Sequence, residues 1–244
     1  MKKIALGLLM LAGVAQAEVL EVRAEPGTDE KLAAAVQKSL ESYNAILKQE
    51  LGVELQKSAR IDICPDLECY RNKRWEGGLR GDQLDKAVRS TSGTANAGKR
   101  QITVKLMRAS QLKNVNKLVS HELTHFLQNE LSEDSNRQPN WIHEGMADFV
   151  GALVAQKMGS QSFDKWKLDL VNQLRSAENY PSPKVLSEIA NSSYSDWRDL
   201  TDQYKGRNYA MADLMMAYLY EMPHARLDDE TKKEYRERTK ENNH

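Results

Sequence analysis

The chain is poor in the residues that commit a protein early to one class. Its 244 residues include only two cysteines, Cys64 and Cys69, which makes a thiolate-built metal centre the weaker alternative, because two thiols with no histidine pair beside them leave a zinc site incomplete. Both lie in Ile63-Cys64-Pro65-Asp66-Leu67-Glu68-Cys69-Tyr70, and in an exported chain so close a pair most simply forms a disulfide that staples a loop. An excess of charge of either sign is also missing. Lys and Arg number 35, as do Asp and Glu, and no basic stripe marks a nucleic-acid footprint. Long apolar runs are absent beyond the first residues, so no later segment reads as a membrane span. No internal repeat is found.

What is present at the start is a short basic stretch, Met1-Lys2-Lys3, then an apolar run from Ile4 to Val14 and a small-x-small step at Ala15-Gln16-Ala17. The run is too short to cross a bilayer, and the pattern predicts a secretory signal over residues 1–17 with Glu18 as the mature N-terminus. A periplasmic or secreted protein follows, without a stable membrane anchor after cleavage; an uncleaved anchor is the alternative. Loss of Lys2 and Lys3 leaves 33 basic against 35 acidic residues, a formal charge of −2. The remaining residues suffice for one domain with a real core. The expected class is α+β over residues 18–224: an N-terminal α/β lobe to about residue 130, with a small mixed sheet and one long helix, and a mainly helical lobe over about 131–224. The segment 225–244 reads as a charged, solvated tail.

Val19 to Ala24 alternates apolar and charged residues, as a half-buried strand does. Thr28, Asp29 and Glu30 form a helix N-terminus. Leu32, Val36, Leu40, Tyr43, Leu47 and Leu51 then recur every three or four residues up to Gly52, which predicts a long amphipathic helix. Arg60 to Cys64 is a second strand ended by Pro65. Residues 66–100 are broken by Trp75-Glu76-Gly77-Gly78 and Thr91-Ser92-Gly93-Thr94, and read as a long loop, a mobile flap by preference. Gln101 to Met107 is a third strand; its edge can accept a peptide main chain as an added strand, or it is an ordinary sheet member. Ser110 is the expected cap of the next helix, Ser132 to Pro139 its closing loop, and Asn140 the cap of the helix after it. Further helices are predicted at about 161–176, 183–190 and 206–222, separated by Pro181, Pro183, the Asn191-Ser192-Ser193 cluster and Gly206.

The chemistry concentrates in His121-Glu122-Leu123-Thr124-His125 and in Trp141-Ile142-His143-Glu144-Gly145-Met146-Ala147-Asp148-Phe149. Histidines four apart on a helix project from one face and can converge on one ion. Glu122, turned away from His121, can reach a water on that ion without being a ligand. Catalytic zinc commonly takes three protein ligands and keeps a fourth position open, and Glu144, with 18 residues between it and His125, is the candidate third. Asp148, one turn beyond Glu144, can receive the outer ring N–H of His121, or else is a surface or salt-bridge carboxylate. His143 would face the substrate or support the ligands. Trp141 and Phe149 read as core.

These two stretches resemble the gluzincin metallopeptidases, the clan of thermolysin and the zinc aminopeptidases, over Ser120 to Phe149. The 18-residue gap is similar to the aminopeptidase branch and the Glu-x-x-x-Asp step to the thermolysin branch. The resemblance implies a thermolysin-like zincin core, Zn2+ held by His121, His125 and Glu144, and Glu122 as general base. The Gly-x-Met-Glu-Asn motif of the aminopeptidases is missing, which turns the expectation toward an endopeptidase. Tyr209, opening a downstream helix as the oxyanion tyrosine does in the aminopeptidase branch, is the expected oxyanion donor; Tyr204, Tyr218 and Tyr220 are rivals, and Arg207 could assist.

The chemistry expected is hydrolysis of peptide bonds in a peptide or protein substrate, with Glu122 carrying the proton from water to the leaving amine. Two other functions fit the same residues. One is a zinc-binding, non-catalytic interaction protein on the same scaffold, against which the retained base argues; the other is a zinc amidase acting on cell-wall peptides.

Overall fold

A computed structural model describes residues 21–132, 139–176 and 183–221. The expected signal segment 1–17, the charged tail 225–244 and most of the loop between Ser132 and Pro139 lie outside them.

The sheet is built from one end of the described chain. Strand β1 (Glu21–Ala24) leads into helix α1 (Glu30–Leu51), which returns the chain to β2 (Arg60–Cys64) beside β1. Asp29 starts α1 by accepting from the backbone N–H groups of Lys31 and Leu32, and Gly52, at φ 70°, ends it in the left-handed conformation that glycine adopts without strain. Leu32, Val36, Leu40, Tyr43 and Leu47 form the buried face the periodicity predicts.

Residues 66–100 are not one long loop. Helices α2 (Leu67–Glu76) and α3 (Gly81–Ser90) are followed by strand β3 (Gly93–Asn96). Asp66 caps α2 by accepting from Cys69 N–H, and the disulfide Cys64–Cys69 ties its first turn to the end of β2. That bond is one an oxidising, exported location permits. Tyr70, Leu84 and Val88 close a small apolar cluster with Cys64. The Gly and Ser residues that read as loop are the joints between these short elements.

Strand β4 (Gln101–Lys105) completes a four-stranded sheet in the order β1-β2-β4-β3. The first three strands of that order run parallel, while β3 is antiparallel to β4. The edge strands are therefore β1 and β3, of which β3 borders the motif helix, and the strand expected to offer an edge, β4, lies inside the sheet with Ile102 and Val104 fully buried.

The helical part begins with α4 (Val115–Leu131), which carries the His-Glu-x-x-His motif, and continues with α5 (Asn140–Lys157), which carries Glu144 and Asp148. Val119, Leu123, Phe126 and Leu127 of α4 share one core with Ile61, Ile63, Ile102 and Val104 of the sheet and with Phe149, Val150 and Leu153 of α5. At about 1.5–3 kcal/mol for each large apolar side chain buried, this layer is what holds the motif helix rigid. Gly151 sets the spacing of the two helices: a Cβ there would sit 2.8 Å from the Lys117 carbonyl oxygen. Tyr43 on α1 meets the Thr124 hydroxyl of α4 at 3.0 Å.

Three local expectations differ. Ser110 lies within a 3-10 turn, Ala109–Asn114, and Asn114 precedes α4 without a side-chain cap. Asn140 is the first residue of α5 rather than its cap, and its buried amide donates to the Ser192 carbonyl at 3.4 Å. After α6 (Phe163–Arg175) and α7 (Pro183–Asn191), the stretch read as a break holds α8 (Tyr194–Tyr204), started by a reciprocal cap between Ser193 and Asp196; α9 (Arg207–Glu221) follows. Among the described residues no helix is long and apolar enough to cross a membrane.

Candidate metal centre

The i, i+4 spacing on α4 brings His121 Nε2 and His125 Nε2 to 3.2 Å of each other, and α5 places a Glu144 oxygen 3.7 Å from His121 Nε2. One ligand atom from each of the three lies within 4.8 Å of the others, a group that can hold a metal ion. The outer ring nitrogens are both occupied. His125 Nδ1 is 3.0 Å from Gln128 Oε1, whose amide nitrogen donates to the His143 carbonyl at 2.8 Å, so Gln128 presents its oxygen to the ring. His121 Nδ1 faces Asp148 Oδ1 at 3.4 Å, and the same oxygen takes Lys117 Nζ at 2.9 Å. With the Nδ1 protons directed outward, the two Nε2 lone pairs point at each other and repel unless a cation lies between them. Two nitrogens bound tetrahedrally at zinc distance stand about 3.3 Å apart, so the donor set fits such an ion.

Protons compete for the same place. Burial disfavours charge on His121, but the Asp148 carboxylate more than offsets it and raises the imidazole to about 10. Burial, with the charge of His121 beside it, lowers His125 to about 4. Burial also opposes ionisation of Glu144, yet the His143 ring, 3.7 Å away, and the charges of His125 and His121 hold it below its usual range. An ion entering this donor set therefore displaces the proton of His121.

Glu122 is 6% exposed. Burial, aided by the Glu144 charge, lifts its carboxyl to about 7 against the opposing pull of His121 and Arg74. Its carboxylate rests against the edge strand. A Cβ on Gly93 would come within 2.5 Å of Glu122 Oε1, so only a residue without a side chain leaves the Glu122 carboxylate where it is. The Tyr70 hydroxyl pins that strand by donating to the Gly93 carbonyl at 3.1 Å.

Glu122, His121, His125, Glu144 and Asp148 line a cleft of about 1080 Å³, along with Arg74, Thr94, Ala95 and Asn96 on the sheet side and His143, Trp197 and Tyr209 from the helices. His143 stacks on His125 with ring centroids 4.3 Å apart. Tyr209 meets Trp197 edge-to-face at 5.3 Å. Its rivals do not line this cleft: the Tyr204 hydroxyl donates to Glu188, that of Tyr220 to Glu50, and Tyr218 is 64% exposed. Arg207 does not line it either. Trp141 packs beside Trp197, and Phe149 is buried.

Several residues of this site escape a reading of the sequence. Gln128 and Lys117 each sit one turn from a histidine, a signal that spacing contains but does not single out. Arg74, Gly93 and Asp213 arrive from distant elements. Asp213 on α9 is 3% exposed, its Oδ1 has no hydrogen-bond partner, and burial together with the nearby Asp148 charge pushes its carboxyl well up.

No protein-family model, no curated protein and no solved structure matches the chain.

Proposed function

We propose that this protein is an exported zinc metallopeptidase, an endopeptidase by preference, with a thermolysin-like catalytic core. The observation that carries the reading is the meeting of His121, His125 and Glu144 from two packed helices, with the buried Glu122 carboxylate alongside. Two imidazoles and one carboxylate suit zinc and leave a fourth position open. Bound there, zinc supplies a Lewis acid for the scissile carbonyl and acidifies water toward a pKa of about 7.

The remaining chemistry belongs to the chain. Glu122, lifted to about 7, is poised to accept the proton of the attacking water near neutrality and to pass it to the leaving amine. Asp148 and Gln128 orient the imidazoles. Tyr209 offers its hydroxyl to the oxyanion. The edge strand β3 can take an extended peptide as an added strand, which a protein or peptide substrate supplies. The apolar start of the sequence and the Cys64–Cys69 disulfide support a periplasmic or secreted site of action.

The test is metal analysis of the purified mature chain beside digestion of a peptide library with and without chelator. Stoichiometric zinc and chelator-sensitive cleavage are expected. Glu122→Gln should keep the zinc and lose at least about 100-fold in turnover. Turnover untouched by that substitution, or a chain without zinc, overturns the reading.

A further inference from the structure

We propose that Arg74 forms a carboxylate-binding subsite in the cleft, so that the preferred peptides carry an acidic group close to the bond being cut. The inference deepens the peptidase reading and rests on it.

Arg74 is near the end of α2, whose start is held to the sheet by the Cys64–Cys69 bond. Its Nη1 donates to the Thr94 hydroxyl on the edge strand. Thr94 is the neighbour of Gly93, the residue in contact with Glu122, so the guanidinium is fixed on the cleft wall one residue along from the base. Three other cations of the cleft are committed to carboxylates, Lys73 to Glu25 at 2.7 Å, Lys86 to Asp202 at 2.8 Å and Lys117 to Asp148 at 2.9 Å, while Lys99 donates to the Glu76 carbonyl at 3.3 Å. Among the described residues Arg74 makes no ion pair; Nη2 makes no hydrogen bond and the buried Nε has no partner. Arg74 acts on the Glu122 carboxylate through space but forms no ion pair with it; a half-buried guanidinium without a direct carboxylate partner is costly, and its planar fork matches a carboxylate better than any other common peptide group. The acidic group can be an Asp or Glu side chain or the C-terminal carboxylate of the peptide, and both present the same atoms.

The experiment uses the zinc-loaded full-length mature protein and matched peptides that differ by Glu against Gln at each position around the cleaved bond, or by a free against an amidated C-terminus. The acidic member of one pair should be preferred in kcat/KM by on the order of 10-fold to 100-fold; the pair concerned identifies side chain or C-terminus as the source. Arg74→Gln should bring that ratio close to one, and Arg74→Lys, which keeps the charge but not the fork, should restore part of it. A ratio near one in the parent protein, or one that survives Arg74→Gln while all rates fall together, overturns the subsite, the second result meaning that Arg74 acts only on Glu122. Equilibrium binding of the same pairs to the Glu122→Gln protein reads the subsite without turnover. Acid-selective binding there, lost on adding Arg74→Gln, with no cleavage by the parent protein would sink the peptidase reading and leave the subsite standing.

Discussion

Gly93 and Glu122 are the pair on which the proposed chemistry depends most closely. The Glu122 carboxylate is held by the absence of a side chain opposite it, and an alanine methyl at Gly93 would have to displace it. Gly93→Ala is therefore expected to leave zinc content unchanged and KM nearly so, while kcat falls by about 10-fold to 100-fold, the scale at which a small misplacement of a reacting group costs rate. Steady-state kinetics with metal analysis checks this; an unchanged kcat would show that Glu122 does not need that space. The ligand residues could be found from spacing alone because the helix repeat puts His121 and His125 on one face. Gly93 could not, since nothing in a Gly within a breaker cluster says which distant side chain will press against it.

At the scale of elements, α2 and β3 are the parts that the sequence pattern hid. Their apolar residues are few and their ends are made of Gly, Ser and Asn, so periodicity is weak where tertiary contacts decide. Tyr70 couples them: it is the fully buried residue of α2, hydrogen-bonded to Gly93 and Thr91. Burial pushes its phenol up to about 12. The folded state thus holds the proton more tightly than the unfolded chain, whose tyrosine ionises near 10. Stability is unaffected below about pH 10 and declines between about 10 and 12, by roughly 3 kcal/mol for a shift of this size. Tyr43, also raised by burial, adds to the decline. Urea midpoints compared at pH 8.5 and 11 should fall less in Tyr70→Phe than in the parent protein; equal falls would mean that Tyr70 is not the titrating group. The α4 and α5 pair was legible in outline, yet their close approach depends on Gly151 lying against the Lys117 carbonyl.

For the molecule as a whole, the candidate metal centre joins two helices that share a core with the sheet. An ion bound to all three residues binds only the folded chain, so it stabilises by mass action, about 2.7 kcal/mol at 100 times its dissociation constant. Thermal unfolding should shift upward with added zinc and downward with chelator, and Glu144→Ala should remove most of the zinc-dependent shift. A midpoint indifferent to zinc would count against three ligands acting together.

The sequence by itself determined the long first helix, the strand at Arg60–Cys64, the strand read at Gln101–Met107 and observed at Gln101–Lys105, the disulfide pair and the two histidines that could share one ion, because each is written in local spacing: 3.6 residues per helical turn, two per strand repeat, a short loop between thiols. Only the tertiary structure decided which strands became the edges, how near α5 comes to α4, and that Gly93, Arg74 and Asp213 come close to Glu122 and its charged neighbours. Those outcomes are set by packing between segments far apart in the chain, where the shape left by one side chain is filled by another and no local period records the match.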